Sequence, residues 1–65
     1  MPVVNIEMLF GRTREQKREL ADAITRDVSH IANCSPESVQ IVFAEVDRDN
    51  WAIAGRLTSD PPKRD

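Results

Sequence analysis

Apolar and polar residues alternate along Pro2 to Phe10, with Val4, Ile6, Met8 and Phe10 on one face and Val3, Asn5, Glu7 and Leu9 on the other. A period of two predicts a strand. Gly11 and Arg12 break the alternation. Thr13-Arg14-Glu15-Gln16 then has the form of a capping box, in which the Thr13 hydroxyl and the Gln16 side chain satisfy backbone amides at a helix start. The period changes there. Leu20, Ile24, Val28 and Ile31 recur at spacings of four, four and three, flanked by Ala21, Ala23 and Ala32. With the charged residues from Lys17 to Asp27 on the opposite face, the segment predicts an amphipathic surface helix.

Asn33-Cys34-Ser35-Pro36 ends that helix, because Pro36 disfavours helical geometry at Ser35. Ser35 is placed to cap a single turn beginning at Pro36. Val39 to Val46 predicts a second strand, apolar on both faces and therefore expected to be covered on both. Asp47-Arg48-Asp49-Asn50 reads as a polar turn and Trp51-Ala52-Ile53-Ala54-Gly55 as a short extended piece. Ser59 to Asp65, with Pro61, Pro62 and mixed charges, is expected to be mobile or docked on a neighbour. A strand–helix–strand crossover is right-handed with parallel strands. One helix covers one sheet face, so the other face demands a partner.

Size changes the picture next. A chain of 65 residues is one domain at most, and such a chain buries only about 60% of its unfolded surface. Cores of this size need staples or association. Cys34 is the only cysteine, which rules out an intrachain disulfide and a cysteine zinc site. Self-association is the remaining route. The formal charge of −2 and the lack of a basic stretch interleaved with aromatics argue against nucleic-acid binding. No apolar run reaches the ~20 residues that cross a bilayer, and the N-terminus lacks the pattern of a signal peptide. A soluble cytoplasmic oligomer is expected.

The candidate chemistry sits at the second residue. Met1 is expected to be removed because Pro2 is small, and Pro2 would then carry a free secondary amine at the head of the first strand. An α-amino group titrates near pH ~8, and desolvation disfavours its charged form. Such an amine is suited to accept a proton from carbon.

Pro2 behind Met1, Leu9-Phe10-Gly11-Arg12-Thr13 followed by Glu15-Gln16-Lys17, Ser38-Val39 opening the second strand, and the aromatic-small-Ile-small-Gly run Trp51-Ala52-Ile53-Ala54-Gly55 together make a combination. With it the chain resembles the 4-oxalocrotonate tautomerase family over nearly its whole length. The resemblance implies an α/β fold: a β-α-β unit with a short C-terminal hairpin. Two such units pair into a four-stranded sheet with two helices, and three dimers form a homohexamer. It implies a single tautomerase domain over residues 1–65, no cofactor and no metal. The implied activity is keto–enol tautomerisation of 2-hydroxydienoates or arylenolpyruvates, as in aromatic-compound catabolism.

Carried over residue by residue, Pro2 is the general base and Arg12 binds a substrate carboxylate. The Leu9 backbone and Ser38 line the site, and Trp51 stands where the family keeps an aromatic wall. Gln40 departs from the family's best-known members, which place an arginine there to bind the carboxylate and polarise a carbonyl oxygen. Charge-assisted hydrogen bonds are roughly twice as strong as neutral ones, so Gln40 implies weaker dienolate stabilisation and less preference for diacids. Two alternatives stay open: a family member of weak or lost activity, and a proline-dependent haloacrylate hydratase or dehalogenase. The latter needs a water-activating carboxylate, and none is evident in the pocket-forming segments.

The remaining chemistry-bearing residues have plainer readings. Trp51 also suits an interface core and Gln40 a polar interface position. His30 falls near the polar side of the helix, and Cys34 is a helix-end residue without a partner base. Glu7 and Glu45 lie on strands, to pair across an interface or face solvent. Arg56, Lys63 and Arg64 are candidates for a second cation near the pocket.

Overall fold

The computed structural model describes residues 1–62; Lys63 and Arg64 lie outside the described residues. Strand β1 (Val3–Leu9) is followed by helix α1 (Arg14–Ile31), strand β2 (Gln40–Val46) and a hairpin of β3 (Ala52–Ile53) and β4 (Arg56–Leu57). Short 3-10 turns at Pro36–Ser38 and Arg48–Asn50 lead into β2 and the hairpin. β1 and β2 pair in parallel with Val3 opposite Gln40 and Leu9 opposite Val46. The ladder is extended at its two ends by Gln40 N–H to the Pro2 carbonyl (3.0 Å) and Phe10 N–H to the Val46 carbonyl (3.2 Å).

The helix starts where its cap dictates. The Thr13 hydroxyl accepts from Gln16 N–H at 3.1 Å and the Gln16 side-chain oxygen accepts from Thr13 N–H at 2.9 Å. Gly11, at φ 135°, takes the chain off β1 in a conformation L side chains rarely adopt. Phe10, expected to continue the Val4 face, therefore lies outside the strand and is 60% exposed. β2 begins at Gln40 rather than Val39, because Val39 N–H closes the preceding turn onto the Pro36 carbonyl.

Val4, Ile6, Met8, Ile41 and Phe43 form the half-buried face of the sheet, and Ala21, Ile24 and Val28 are half-buried on the helix. Ile31, expected in the apolar stripe, is 81% exposed. The reason is length: 18 helical residues extend about 27 Å, whereas seven strand residues reach about 23 Å, so the last turn overhangs the sheet. Leu20 lies on the flank of the packed stripe and is also exposed. Lys17, expected among the outward charges, is instead half-buried and pairs with Glu45 on β2 at 2.6 Å. Glu45 thus meets its counter-charge within the chain.

None of the described side chains is fully buried. Val3 (52% exposed) and Val42 (49%) lie on the sheet face away from the helix, with Asn5, Glu7 and Ala44 beside them. β2, expected to be covered on both faces, is covered by this chain on one only, since a single helix reaches one side. The start of the C-terminal segment folds back on the hairpin: Leu57 N–H donates to the Asp60 carboxylate (3.1 Å) and Asp60 N–H to the Leu57 carbonyl (3.0 Å). Among the described residues no helix is long and apolar enough to cross a membrane.

Candidate active site

The expected site residues fall at two ends of the β1–β2 sheet. At the N-terminal end of both strands stand Pro2, Ser38 and Gln40. Pro2 is half-buried, and its carbonyl is held by the Gln40 amide. Ser38 closes the 3-10 turn; its N–H (3.0 Å) and its hydroxyl (2.8 Å) both donate to the Ser35 carbonyl. The hydroxyl hydrogen is used there, and the oxygen is left as an acceptor. The Gln40 side-chain amide donates to the Met1 sulfur at 3.4 Å, so it extends toward the residue that precedes Pro2. With Met1 attached, the Pro2 nitrogen is an amide and has no basic lone pair.

At the opposite end stand Leu9, Arg12 and Trp51. Leu9 ends β1 opposite Val46. Arg12 lies between Gly11 and the helix cap, and lines an open groove of about 400 Å³ with Gln16, Glu19, Leu20 and Ala23. It makes no ion pair among the described residues. Trp51 is half-buried and lines a recess of about 260 Å³ with Glu7, Val46, Asn50 and Ala52. Its backbone is pinned by Thr58 N–H to the Trp51 carbonyl at 2.8 Å, and Thr58 Oγ1 donates to the Arg48 carbonyl, also at 2.8 Å.

The two groups are far apart. Seven strand steps from Pro2 to Leu9 span about 23 Å, longer than a small acid substrate. Within one chain Pro2, Ser38 and Gln40 come together, and Arg12 and Trp51 do not join them.

Several neighbours were not legible beforehand. Glu7 places a carboxylate in the recess beside Trp51, against the expectation that no acid lies in the pocket-forming segments. Only the sheet register, which sets Glu7 two residues from the strand end nearest the hairpin, brings it there. Gln16 and Glu19 flank Arg12; the capping box was the available signal for Gln16. His30 is exposed, and Cys34 is half-buried with its N–H on the Ser29 carbonyl at 3.1 Å. The Arg56 guanidinium donates to the Pro61 carbonyl within its own segment.

The tautomerase family model, described as a tautomerase enzyme, matches residues 2–60. The 2-hydroxymuconate tautomerase of Bacillus subtilis is 40% identical over 60 residues, covering 92% of this chain and 97% of the relative. Among solved structures, a 4-oxalocrotonate tautomerase homologue superposes with a TM-score of 0.90 at 38% identity, over 97% of this chain and 100% of the other. A heterohexamer 4-oxalocrotonate tautomerase from Chloroflexus aurantiacus gives 0.87 at 30% identity, over 92% and 97% of the two chains.

Proposed function

The chain belongs to the tautomerase family, and from that premise we propose that it is a keto–enol tautomerase whose general base is the amine of Pro2, freed by loss of Met1. The observation that carries this reading is the seat of Pro2: half-buried at the head of β1, its carbonyl fixed by the Gln40 N–H. That anchorage, with a ring that restricts the nitrogen, gives the amine a fixed direction. Because Arg12 and Trp51 lie a sheet length away, a complete site draws them from another copy of the chain. The open sheet face bearing Val3 and Val42 supports such association, and the likeness to a heterohexamer supports an assembly of six, here a trimer of dimers of one 1–65 domain.

In this site the neutral amine takes the proton of the enol hydroxyl and returns it to carbon, leaving the keto acid and the free amine. The substrate belongs to the 2-hydroxydienoates or arylenolpyruvates. Arg12 holds the substrate carboxylate, with its planar fork suited to two parallel hydrogen bonds. A cation nearby and exclusion of water by Trp51 both favour the uncharged amine. Leu9 supplies backbone at the site wall, Ser38 an acceptor oxygen, and Gln40 a donor for the developing oxyanion.

Mass spectrometry of the purified protein, expected to find Pro2 as the first residue, precedes the assay. Ketonisation of 2-hydroxymuconate and phenylenolpyruvate is then compared in wild type and Pro2→Ala. Pro2→Ala keeps a terminal amine but loses the ring that fixes its direction, so a loss of roughly 10-fold or more is expected, toward the upper limit of about 10²–10⁴-fold that general-base catalysis is worth. Equal rates would remove the proline mechanism.

A second reading, addition of water to a haloacrylate, is favoured by one observation: Glu7 beside Trp51 supplies the carboxylate such chemistry needs. Halide release from 3-chloroacrylate, abolished in Glu7→Gln, would support it; no release by wild type would end it.

A further inference from the structure

We propose that Glu7 is a positioning residue for the base: its carboxylate stands with Trp51 against the Pro2 amine of a neighbouring copy and holds that amine while it carries the proton. The inference rests on the reading of Pro2 as base and adds to it a charge that does not touch the substrate.

Glu7 and Trp51 line one recess of about 260 Å³, so a group that Trp51 walls also faces Glu7. The other lining residues, Val46, Asn50 and Ala52, are uncharged. Glu7 lies two residues before Leu9 on the same face of β1, about 7 Å along the strand, and is paired with Ala44 on β2. It is the only ionisable residue of β1. Glu45, its counterpart on β2, sits on the opposite face with Lys17 as its counter-charge. Glu7 makes no ion pair among the described residues. The adjacent turn does not supply one: Asp47 accepts from Asp49 N–H at 3.1 Å, and Arg48 and Asp49 are exposed and do not line the recess.

A copy that brings its Pro2 to Trp51 brings little positive charge with it. Neither residues 1–11 nor residues 27–47 contain a lysine or arginine. These stretches supply β1, β2 and the turn before β2, and hence the sheet end that carries Pro2. His30 is exposed on the last turn of α1, and Glu37, in the turn before β2, is an acid. Once Met1 is gone, the cation that this sheet end offers Glu7 is the protonated amine of Pro2.

That cation exists for part of each turnover. The amine takes the proton of the enol hydroxyl, is positive until it delivers the proton to carbon, and is then neutral again. Arg12 opposes the charged form by repulsion and Trp51 by excluding water, whereas an anion nearby favours it. Glu7 is that anion, and it neither gains nor loses a proton in the cycle. Without it the amine would be a weaker base, and general-base catalysis is most efficient when the base titrates near the operating pH.

The test follows kcat/KM for phenylenolpyruvate against pH in wild type, Glu7→Gln, Glu7→Asp and Pro2→Ala, all freed of Met1 and checked for assembly by sedimentation. Glu7→Gln keeps the side-chain shape and removes the charge. The midpoint of its rising limb should fall by about one pH unit, the lower end of what an opposite charge within about 4–6 Å does. Glu7→Asp keeps the charge and should stay nearer wild type. In the intact wild type, ¹³C NMR of the glutamate side chains should show one carboxylate resonance that moves at the midpoint of the amine. A Glu7→Gln midpoint equal to that of wild type, or a lower kcat at an unchanged midpoint, overturns the proposal while leaving Pro2 as base. So does a wild type in which no glutamate senses the amine, a result that stands even where the variants fail to assemble. If Pro2→Ala is as fast as wild type, or wild type has no rising limb, the failure lies instead in the reading of Pro2.

Discussion

Replacing Ala54 by Asn should stabilise the hairpin that carries Trp51. β3 and β4 pair Ile53 with Arg56, leaving a two-residue loop in which Ala54 has φ 54° and Gly55 φ 78°. Positive φ at both central positions is the pattern of a type I′ turn, whose preferred sequence is Asn-Gly. An L residue in the left-handed region costs roughly 1–2 kcal/mol because Cβ crowds the following carbonyl oxygen. Asn relieves much of that through local hydrogen bonds of its side chain, so a gain of about 1 kcal/mol is expected. Gly removes the same crowding but loosens the unfolded chain by about 0.4–1 kcal/mol, so Ala54→Gly should keep a smaller net gain, on the order of 0.5 kcal/mol. Ala54→Val adds a β-branch at positive φ and should destabilise.

Hydrogen exchange at the Thr58 amide, which bonds the Trp51 carbonyl at 2.8 Å, reads the hairpin locally. A gain of 1 kcal/mol slows exchange about five-fold. Where unfolding is global, it raises Tm by about 4–8 °C, measured at one protein concentration because association shifts Tm. The order Asn, then Gly, then Ala, with Val lowest, is the expected result. Faster exchange in Ala54→Asn, or no penalty for Ala54→Val, would show that the loop is not held at positive φ.

Four further outcomes test other parts of the molecule. Thr13→Ala removes the acceptor of the Gln16 amide and should cost about 1 kcal/mol in urea unfolding, with Thr13→Ser recovering most of it; no loss would remove the capping box as a determinant. Lys17 and Glu45 are 28% and 21% exposed, so a cycle of Lys17→Met and Glu45→Gln should show a coupling of up to about 1 kcal/mol, against zero if the pair is incidental. Val42→Lys puts a charge on the open sheet face and should shift the sedimentation coefficient toward smaller species; an unchanged value would place the interface elsewhere. If the terminal amine works uncharged, kcat/KM for ketonisation should rise with pH as it loses its proton, and a fall over that range would contradict its role as base.

Much of the fold was legible because its rules are local. Alternation in Val3 to Leu9 needs only neighbours two apart, the capping box needs Thr13 and Gln16 three apart, and Pro36 acts on the residue beside it. Each is satisfied by short-range geometry that tertiary packing did not overturn. Expectations that depended on where one element ends against another fared differently. Ile31 belongs to the apolar stripe by spacing, but it is exposed because the helix is longer than the sheet beneath it. Lys17 was assigned outward by its charge, yet its ammonium reaches Glu45 across the helix–sheet seam. Pro2, Ser38 and Gln40 were named together and do share one end of the sheet. Arg12 was named with them and stands at the other, because a run of extended residues separates the two by its full length.

By itself, then, the order of residues determined the β-α-β-hairpin succession, the start of the helix, the family and the place of Pro2 directly behind Met1. Periodicity and family motif are properties of the chain as written. The tertiary structure alone decided that Pro2 and Arg12 lie at opposite ends of the sheet, that Glu7 shares a recess with Trp51, and that one sheet face is left open. Those facts follow from strand register and the relative lengths of helix and sheet, which distant residues set jointly.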